Sequence, residues 1–192
     1  MNRFCKILFN GNHHLVFTVS CDNEFKKDPT SLQSRWKTEK NFREFKQDLI
    51  NAIQNKDNKR LQHILSRKSF LMKCHSPISY EKIIEMVDLR GIELKNLNIP
   101  DFDLSYCCFD FALLTNVVFD KTGLQYSSFN NAQLQKCSLL NVQASPISAF
   151  NSSFIESNFE NGFFMHSDFR GIKMDKCNVK PFEIPNSESC SF

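Results

Sequence analysis

The sequence predicts a repeat solenoid preceded by a smaller, mostly helical segment. Two observations predict the solenoid: an apolar residue recurs every five residues from Leu89 to Val179, and a mostly small residue recurs two places before it. A third observation separates the two parts of the chain. Lys and Arg outnumber Asp and Glu by 16 to 9 in residues 1–86, whereas the acidic residues lead by 10 to 8 in residues 87–182.

The stretch SSFNNAQLQKCSLLN, residues 127–141, shows the period clearly. A helix repeats every 3.6 residues and a strand every two, so neither explains a period of five. One coil cannot bury such a face alone, but stacked coils share a continuous core. The 19 central residues are Leu89, Leu94, Ile99, Leu104, Phe109, Leu114, Phe119, Leu124, Phe129, Leu134, Leu139, Ala144, Ala149, Phe154, Phe159, Phe164, Phe169, Met174 and Val179.

Three repeats carry the motif of a known family: AQLQK at 132–136, SNFEN at 157–161 and SDFRG at 167–171. The pattern resembles the pentapeptide-repeat protein family, and the resemblance extends from Val87 to about Pro181. It implies a mainly β fold, a right-handed quadrilateral β-helix over residues 87–182. Each coil of that fold holds four repeats, with the central and small residues inside and the other three positions facing solvent.

The first 86 residues are predicted to cap the tube, because a solenoid end exposes core and unpaired strand edges. Residues 1–36 contain a candidate β-hairpin around the Asn10-Gly11 turn pair, followed by a polar loop over Asp22–Gln33. Residues 37–86 are predicted to be helical, with a third helix over Tyr80–Met86. The first two of these helices carry apolar residues at helical intervals. Those residues are Phe42, Phe45, Leu49 and Ile53, then Leu61, Ile64 and Leu65.

The C-terminal tail, residues 183–192, is too short to form a second cap. Either it folds over the last coil, or two chains pair end to end there. The resemblance implies that the second arrangement, a homodimer through the C-terminal coil, occurs in the family.

The sequence contains no recognisable catalytic, cofactor or metal motif, and we predict that the protein is not an enzyme. Cys5, His13, His14 and Cys21 match no standard zinc spacing, and Cys74-His75 has no neighbouring acid or base. Cys107, Cys137 and Cys177 occupy small inward positions, so we expect them to fill the core. Cys108 faces outward and is the more reactive candidate.

One side of the predicted tube differs from the others. This fourth side comprises the repeats centred on Leu104, Leu124, Ala144 and Phe164. Its outward positions carry Tyr106, Tyr126, Pro146, Phe163, Met165 and His166. Such a strip on a polar tube is typical of an interaction site, although the N-terminal segment or the tail could cover it. The candidate protein-binding residues, with two that flank the same corner, are Tyr106, Tyr126, Phe163, Met165, His166, Cys108 and Phe150.

The repeats at VQASPISAFN, residues 142–151, have unusually small centres. Ala144 and Ala149 take the places of larger residues, and Phe150 follows one place late. This pattern predicts either a locally hollow core or a bulge that turns Phe150 inward.

Composition and resemblance together favour a non-enzymatic protein-interaction scaffold. Some family members from pathogens are injected into host cells and carry a non-repeat N-terminal portion, so a bacterial effector that binds a host protein is one expectation. The chain starts without a recognisable Sec signal and holds no apolar run long enough to cross a bilayer. We expect it in the bacterial cytoplasm or secreted by another route. The alternative is a gyrase-protecting DNA mimic, although the tube is only slightly acidic; direct nucleic-acid binding is not indicated.

Overall fold

The computed structural model describes residues 28–76 and 79–179, and side chains within 28–74 and 83–179. Three helices come first, α1 (Pro29–Thr38), α2 (Lys40–Gln54) and α3 (Asn58–Leu65), and a 3-10 turn follows at Lys68–Phe70. None of these described helices has the length and apolarity to cross a bilayer. The strands are β1 (Leu71–Ser76), β2 (Ser79–Asp88), β3 (Glu93–Asn98), β4 (Cys107–Cys108), β5 (Leu113–Val118), β6 (Gln133–Gln135), β7 (Ser153–Ile155) and β8 (Lys173–Asp175).

The repeats form a four-sided β-solenoid, as the period of five predicts. On the second side, β3, β5, β6, β7 and β8 form one parallel sheet, and each residue pairs with the residue 20 places later. Parallel bridges with the same spacing of 20 join the coils on the other sides. Twenty residues are four repeats, so each repeat forms one side of a coil. The predicted fold class is confirmed.

The central column fills the tube. Eighteen of the 19 central residues are buried, and Val179 in the last described repeat is half-buried. Phe109 and Phe129, one coil apart, stack with ring centroids 4.9 Å apart, and Phe119 meets both rings edge-on. Each buried Phe contributes about 2–3 kcal/mol of apolar transfer free energy, so this column is the main stabilising feature.

Buried hydroxyls in the small column connect successive coils. The Ser127 hydroxyl accepts a hydrogen bond from the Cys107 N–H at 3.2 Å and donates to the Leu104 carbonyl at 2.9 Å. Two coils further along the same side, the Ser167 hydroxyl accepts from the Ile147 N–H and donates to the Ala144 carbonyl. Small size therefore explains only part of this column, because the hydroxyl also satisfies buried backbone groups.

Every corner of the tube except one has left-handed backbone. The corner residue lies two places after each centre, and 17 of the 18 corners from Gly91 to Lys176 have φ between 51° and 69°. The exception is Pro146, whose ring fixes φ near −65°. Asn, Asp or Gly occupies nine of the 18 corners, in keeping with their tolerance of this region. That enrichment is a sequence signal for the corners that the period alone does not reveal.

The small repeats at residues 142–151 keep the register. Ala149 is fully buried, and Phe150 stays on the outside, half-buried beneath the Arg170 guanidinium at 5.6 Å. The inward turn of Phe150 that the sequence left open does not occur. In the next coil the ring of Phe164 lies 2.2 Å from the point that a Cβ on Gly162 would occupy. Glycine in the small column therefore makes room for a large ring in the central column.

The helices cover the first coil and share its core. Apolar residues of α2 and α3, such as Phe45 and Leu61, belong to one continuous cluster with Leu89 and Leu94 of the tube. At Gly91, an added Cβ would lie 2.6 Å from the backbone of α1, so only glycine permits this approach. The two helices predicted from the apolar spacing of Phe42–Ile53 and Leu61–Leu65 are confirmed, and they span Lys40–Gln54 and Asn58–Leu65.

A buried ion-pair cluster ties α1 to the tube. The Arg35 guanidinium donates to both carboxylate oxygens of Asp88 at 2.9 and 2.7 Å, and Arg90 binds the same carboxylate. The Trp36 indole N–H donates to the Arg90 carbonyl at 2.8 Å. Burial opposes ionisation of Asp88, but the hydrogen bonds from Arg90 and Arg35 outweigh it and hold its pKa well below the usual range.

Two predictions for the N-terminal part are wrong. The helix expected over Tyr80–Met86 is strand β2, which pairs antiparallel with β1 and leads directly into the first coil. The open edge of the second coil offers backbone partners at Cys107 and Cys108, and this pairing overrides local helical pattern. The polar loop expected up to residue 33 instead contains the start of α1, with Asp28 as its N-cap. The predicted hairpin around Asn10-Gly11 and the tail at 183–192 lie outside the described residues.

A ladder of polar side chains runs down the outside of the first side. The Asp110 carboxylate accepts hydrogen bonds from the Ser128 hydroxyl and, at 2.8 Å, from the Asn130 N–H. One coil further on, the Asn130 side-chain oxygen accepts the equivalent bonds from Ser148 and Phe150. Burial raises the pKa of Asp110, and the hydrogen bonds from Ser128 and Asn130 oppose that rise.

Asp110→Asn is expected to stabilise the protein at neutral pH. Because the folded-state pKa of Asp110 is raised, the protonated carboxyl group stabilises the fold relative to the ionised one. This stabilisation is fully present below the unfolded pKa of about 4 and is lost as the pH rises through the folded-state pKa. Asn keeps both acceptor bonds, as Asn130 shows, and has no charge to bury. Thermal melts should give Asp110→Asn a higher melting temperature than the wild type at neutral pH, by about 2–4 °C for each kcal/mol of added stability. The difference should be smaller at a pH of about 3.

The matched control for this experiment is Asp120→Asn. Asp120 accepts the equivalent bonds from Ser138 and Leu140 but is only half-buried, so its substitution should change the melting temperature little. An Asp110→Asn variant that melts with the wild type at both pH values would contradict the assignment of a buried, costly carboxylate.

Gly162→Ala is expected to destabilise the tube by about 1–3 kcal/mol, because the new methyl group overlaps the Phe164 ring. Phe164→Leu in the same chain should restore most of the loss, since Leu104 and Leu124 occupy this column in earlier coils. Urea denaturation of the two single variants and the double variant measures the coupling between the sites. Additive effects would show that the two positions do not compete for space.

Candidate protein-interaction surface

The fourth side has a complete core beneath it. Its central residues, Leu104, Leu124, Ala144 and Phe164, are all buried. Across the four coils the side presents 12 outward positions. Asp103 is the only one of them that is Asp, Glu, Lys or Arg. The apolar groups outside this core therefore have no evident role in holding the coils together, and the surface is nearly neutral.

Two tyrosines form a stack at the corner of this side. Tyr106 and Tyr126 are 20 residues apart, so they occupy the same corner of successive coils, and both have φ of 59°. Their ring centroids lie 5.0 Å apart with an angle of 8° between the planes. Tyr106 is 42% exposed and Tyr126 is half-buried. Because each ring restrains the other, the stack presents its edges and hydroxyl groups in a fixed arrangement.

A second apolar group lies on the same side two coils further along. Phe163 and Met165 flank the buried centre Phe164, so both point outward, and they are 50% and 47% exposed. His166, at the adjoining corner, is also exposed. The structure thus places five of the candidate binding residues on one side, as two apolar ends.

The surface between these ends is polar and uncharged. The Ser105 hydroxyl donates to the Gln125 side-chain oxygen at 2.8 Å, and the Ser145 hydroxyl donates to the Met165 carbonyl at 2.5 Å. The side chains of Asp103, Gln125 and Ser105 surround Gly123, at 3.0–3.5 Å from the point that a Cβ there would occupy. Pro146, which the sequence placed in the exposed strip, is buried. The apolar contacts that this side offers therefore lie at its two ends.

Two of the candidate binding residues are not available for contact in the way that the sequence suggested. Cys108 points out of the tube but is only 1% exposed, because it packs against Cys74 and Met86 of the β1–β2 hairpin. Burial raises the pKa of its thiol well above the ordinary value, so the expectation of a reactive, outward thiol is wrong. Phe150 is half-buried beside Arg170.

The other cysteines of the described residues are also partly or fully withdrawn from solvent. Cys107 and Cys137 are buried in the small column as predicted, and burial raises the pKa of Cys137 to about 11. Cys177 is half-buried and Cys74 is buried. Among the described residues no three His, Cys, Asp or Glu side chains cluster so that they could hold a metal ion. The candidate set Cys5, His13, His14 and Cys21 lies outside the described residues.

Comparison of the sequence with protein-family models and with curated proteins gave no match. Similar solved structures include the pentapeptide repeat protein Rfr23 of the cyanobacterium Cyanothece 51142, at 19% identity and a TM-score of 0.40 over 46% of this chain and 65% of that one. A pentapeptide repeat protein from the Arabidopsis thaliana thylakoid lumen gives 16% identity and 0.44 over 53% and 67%. QnrB1, a plasmid-mediated fluoroquinolone resistance protein, gives 14% and 0.39 over 56% and 65%.

The chain spans about two thirds of the length of these three proteins. The assignment of the fold rests on the chain's own register, in which five-residue repeats pair at a spacing of 20. The protein is a four-sided β-solenoid of five-residue repeats, preceded by three helices and a β-hairpin.

Replacing both tyrosines with Asn is expected to leave the fold intact. Loss of the stacked pair costs about 0.5–1.5 kcal/mol. Asn relieves about 1 kcal/mol of left-handed strain at each corner, so the net change in stability should be close to zero or favourable. Melting of Tyr106→Asn/Tyr126→Asn tests this balance.

Tyr106→Ala/Tyr126→Ala provides the comparison, because Ala loses the stack without tolerating left-handed backbone. It should melt below the Asn variant. Equal melting of the Ala and Asn variants would show that the corner conformation does not decide the outcome.

Proposed function

We propose that this protein is a non-enzymatic scaffold that binds another protein through its fourth side. The observation that carries the proposal is the Tyr106–Tyr126 stack, held at the corner of a rigid tube beside exposed Phe163 and Met165. Tyrosines and other large apolar side chains dominate the binding energy of protein interfaces. A surface whose side chains are already ordered loses little conformational entropy on binding.

The charge distribution supports an apolar interface. With one carboxylate and no Lys or Arg among its outward positions, the fourth side attracts neither nucleic acid nor a strongly charged protein surface. Binding through ring edges and a thioether depends weakly on ionic strength. The chemistry therefore favours a neutral, apolar patch on a partner protein.

The resemblance to pentapeptide-repeat proteins supports a more specific form of this proposal, in which the chain is a bacterial effector acting on a host protein. Effectors of that family join a non-repeat N-terminal portion to the tube, and this chain has such a portion in α1–α3 and the β1–β2 hairpin. The alternative, a DNA mimic that protects gyrase, requires a strongly acidic tube. Residues 87–182 hold 8 basic and 10 acidic residues, a net charge of only −2, which argues against it.

The test compares the wild type with Tyr106→Asn/Tyr126→Asn in affinity capture from host-cell and bacterial lysates. A partner identified with the wild type is then titrated against both proteins. The double substitution should weaken binding about thirtyfold, as expected for two tyrosines at about 1 kcal/mol each. The measured affinity should change little between low and physiological salt.

The matched control is Lys136→Asn/Lys176→Asn, which also introduces Asn at two exposed left-handed corners, here on the second side. It should bind as the wild type does. A partner that binds Tyr106→Asn/Tyr126→Asn with unchanged affinity would contradict the proposal. Gyrase captured by every variant, with affinity that falls steeply as salt rises, would instead support DNA mimicry.

A further inference from the structure

The fourth side is matched to itself under one symmetry operation. Consider a two-fold axis that runs along the tube and lies against the middle of this side. Under this rotation, the residue that precedes a centre lies opposite the residue that follows the same centre in a second copy. The rotation also places the corner column at residues 101, 121, 141 and 161 opposite the corner column at 106, 126, 146 and 166.

The positions within the side are complementary under this operation. Phe163 lies opposite Met165 of the second copy, and the two-fold axis repeats this contact. A thioether against an aromatic ring is a favourable contact. Asp103 lies opposite the polar side chain of Ser105 of the second copy, and its carboxylate keeps the hydrogen bond from the Ser105 N–H of its own chain at 2.9 Å.

The two edges of the side are complementary as well. Tyr106 meets Asp101 of the second copy, where a phenol hydroxyl can donate to a carboxylate. Tyr126 meets Lys121 of the second copy, where an ammonium group can lie against the stacked rings. Asp101 and Lys121 are both exposed corner residues, and no two like charges are brought face to face.

The opposite, antiparallel arrangement fits less well. A two-fold axis across the tube would set the first coil against the fourth coil of the second copy. Asp103 would then lie opposite Phe163, so a carboxylate would be buried against a ring that offers it no donor. The side-chain pattern therefore selects parallel over antiparallel pairing.

From these complementary pairs we propose that the fourth side binds a second copy of this chain, side by side and parallel. The inference rests on the proposed function, in that it needs this side to be a protein-binding surface, and it names the partner. Four coils span about 19 Å at ~4.8 Å per coil, so one side buries less than the ~800 Å² per partner of a standard interface. The dimer is accordingly reversible and forms only at raised protein concentration.

Opposite charges placed at Tyr106 test the pairing. In Tyr106→Lys an ammonium group faces Asp101 of the second copy at both edges, whereas Tyr106→Glu sets two carboxylates there. Within one chain, positions 101 and 106 are separated by the width of the side. Sedimentation velocity of the full chain, from micromolar to submillimolar concentration, should show Tyr106→Lys dimerising at least as tightly as the wild type in low salt. The dissociation constant of Tyr106→Glu should be at least tenfold higher.

The matched controls are Asn116→Lys and Asn116→Glu, which make the same charge changes at an exposed left-handed corner of the second side. Both should dimerise as the wild type does, and melting curves confirm that all variants are folded. Salt should weaken the Tyr106→Lys dimer by screening the new ion pairs.

Three results would overturn the inference: a wild type that is monomeric at every concentration, equal weakening by Lys and Glu at position 106, or a dimer indifferent to both. The proposed function is judged separately, by the affinity of Tyr106→Asn/Tyr126→Asn for a different protein. A monomeric wild type whose captured partner is lost in that variant would remove the homodimer and keep the binding surface.

Discussion

Parallel pairing between residues 20 apart is the constraint on which the rest of the structure depends. It places each side chain directly over its counterpart in the next coil, so the surface and the interior are both divided into columns. The Phe109–Phe129 stack inside and the Tyr106–Tyr126 stack outside have the same origin. A residue type that recurs every 20 positions becomes a continuous ladder, and this is how the tube acquires a distinct side.

The columns serve different physical purposes. The two inward columns must fill a tube of fixed width, which explains why Gly162 accompanies the large ring of Phe164. The corner column must adopt left-handed backbone, which Asn and Gly tolerate and Tyr does not prefer. Tyr106 and Tyr126 therefore occupy corners at a cost to stability. The first side carries the polar ladder with the buried Asp110 carboxylate, whereas the outward positions of the fourth side are nearly all uncharged.

The cap solves the problem of the open end by continuing both features of the tube. The β1–β2 hairpin extends the strand pairing, while α1–α3 extend the apolar core over the first coil. The Arg35–Asp88–Arg90 cluster fixes α1 at the rim. Two guanidinium groups around one carboxylate at a buried site contribute more to the position of the helix than to net stability, because desolvation offsets most of their attraction.

The sequence by itself determined the solenoid, its register and the identity of the fourth side, because a period of five sustained over 19 repeats has one structural explanation. It also located α2 and α3 from their apolar spacing. Only the tertiary structure decided that Tyr80–Met86 is a strand, that Cys108 is buried and that Phe150 stays outside. Each of these depends on what the neighbouring coil or hairpin offers across space, as β1 covers Cys108, and local spacing carries no record of such contacts.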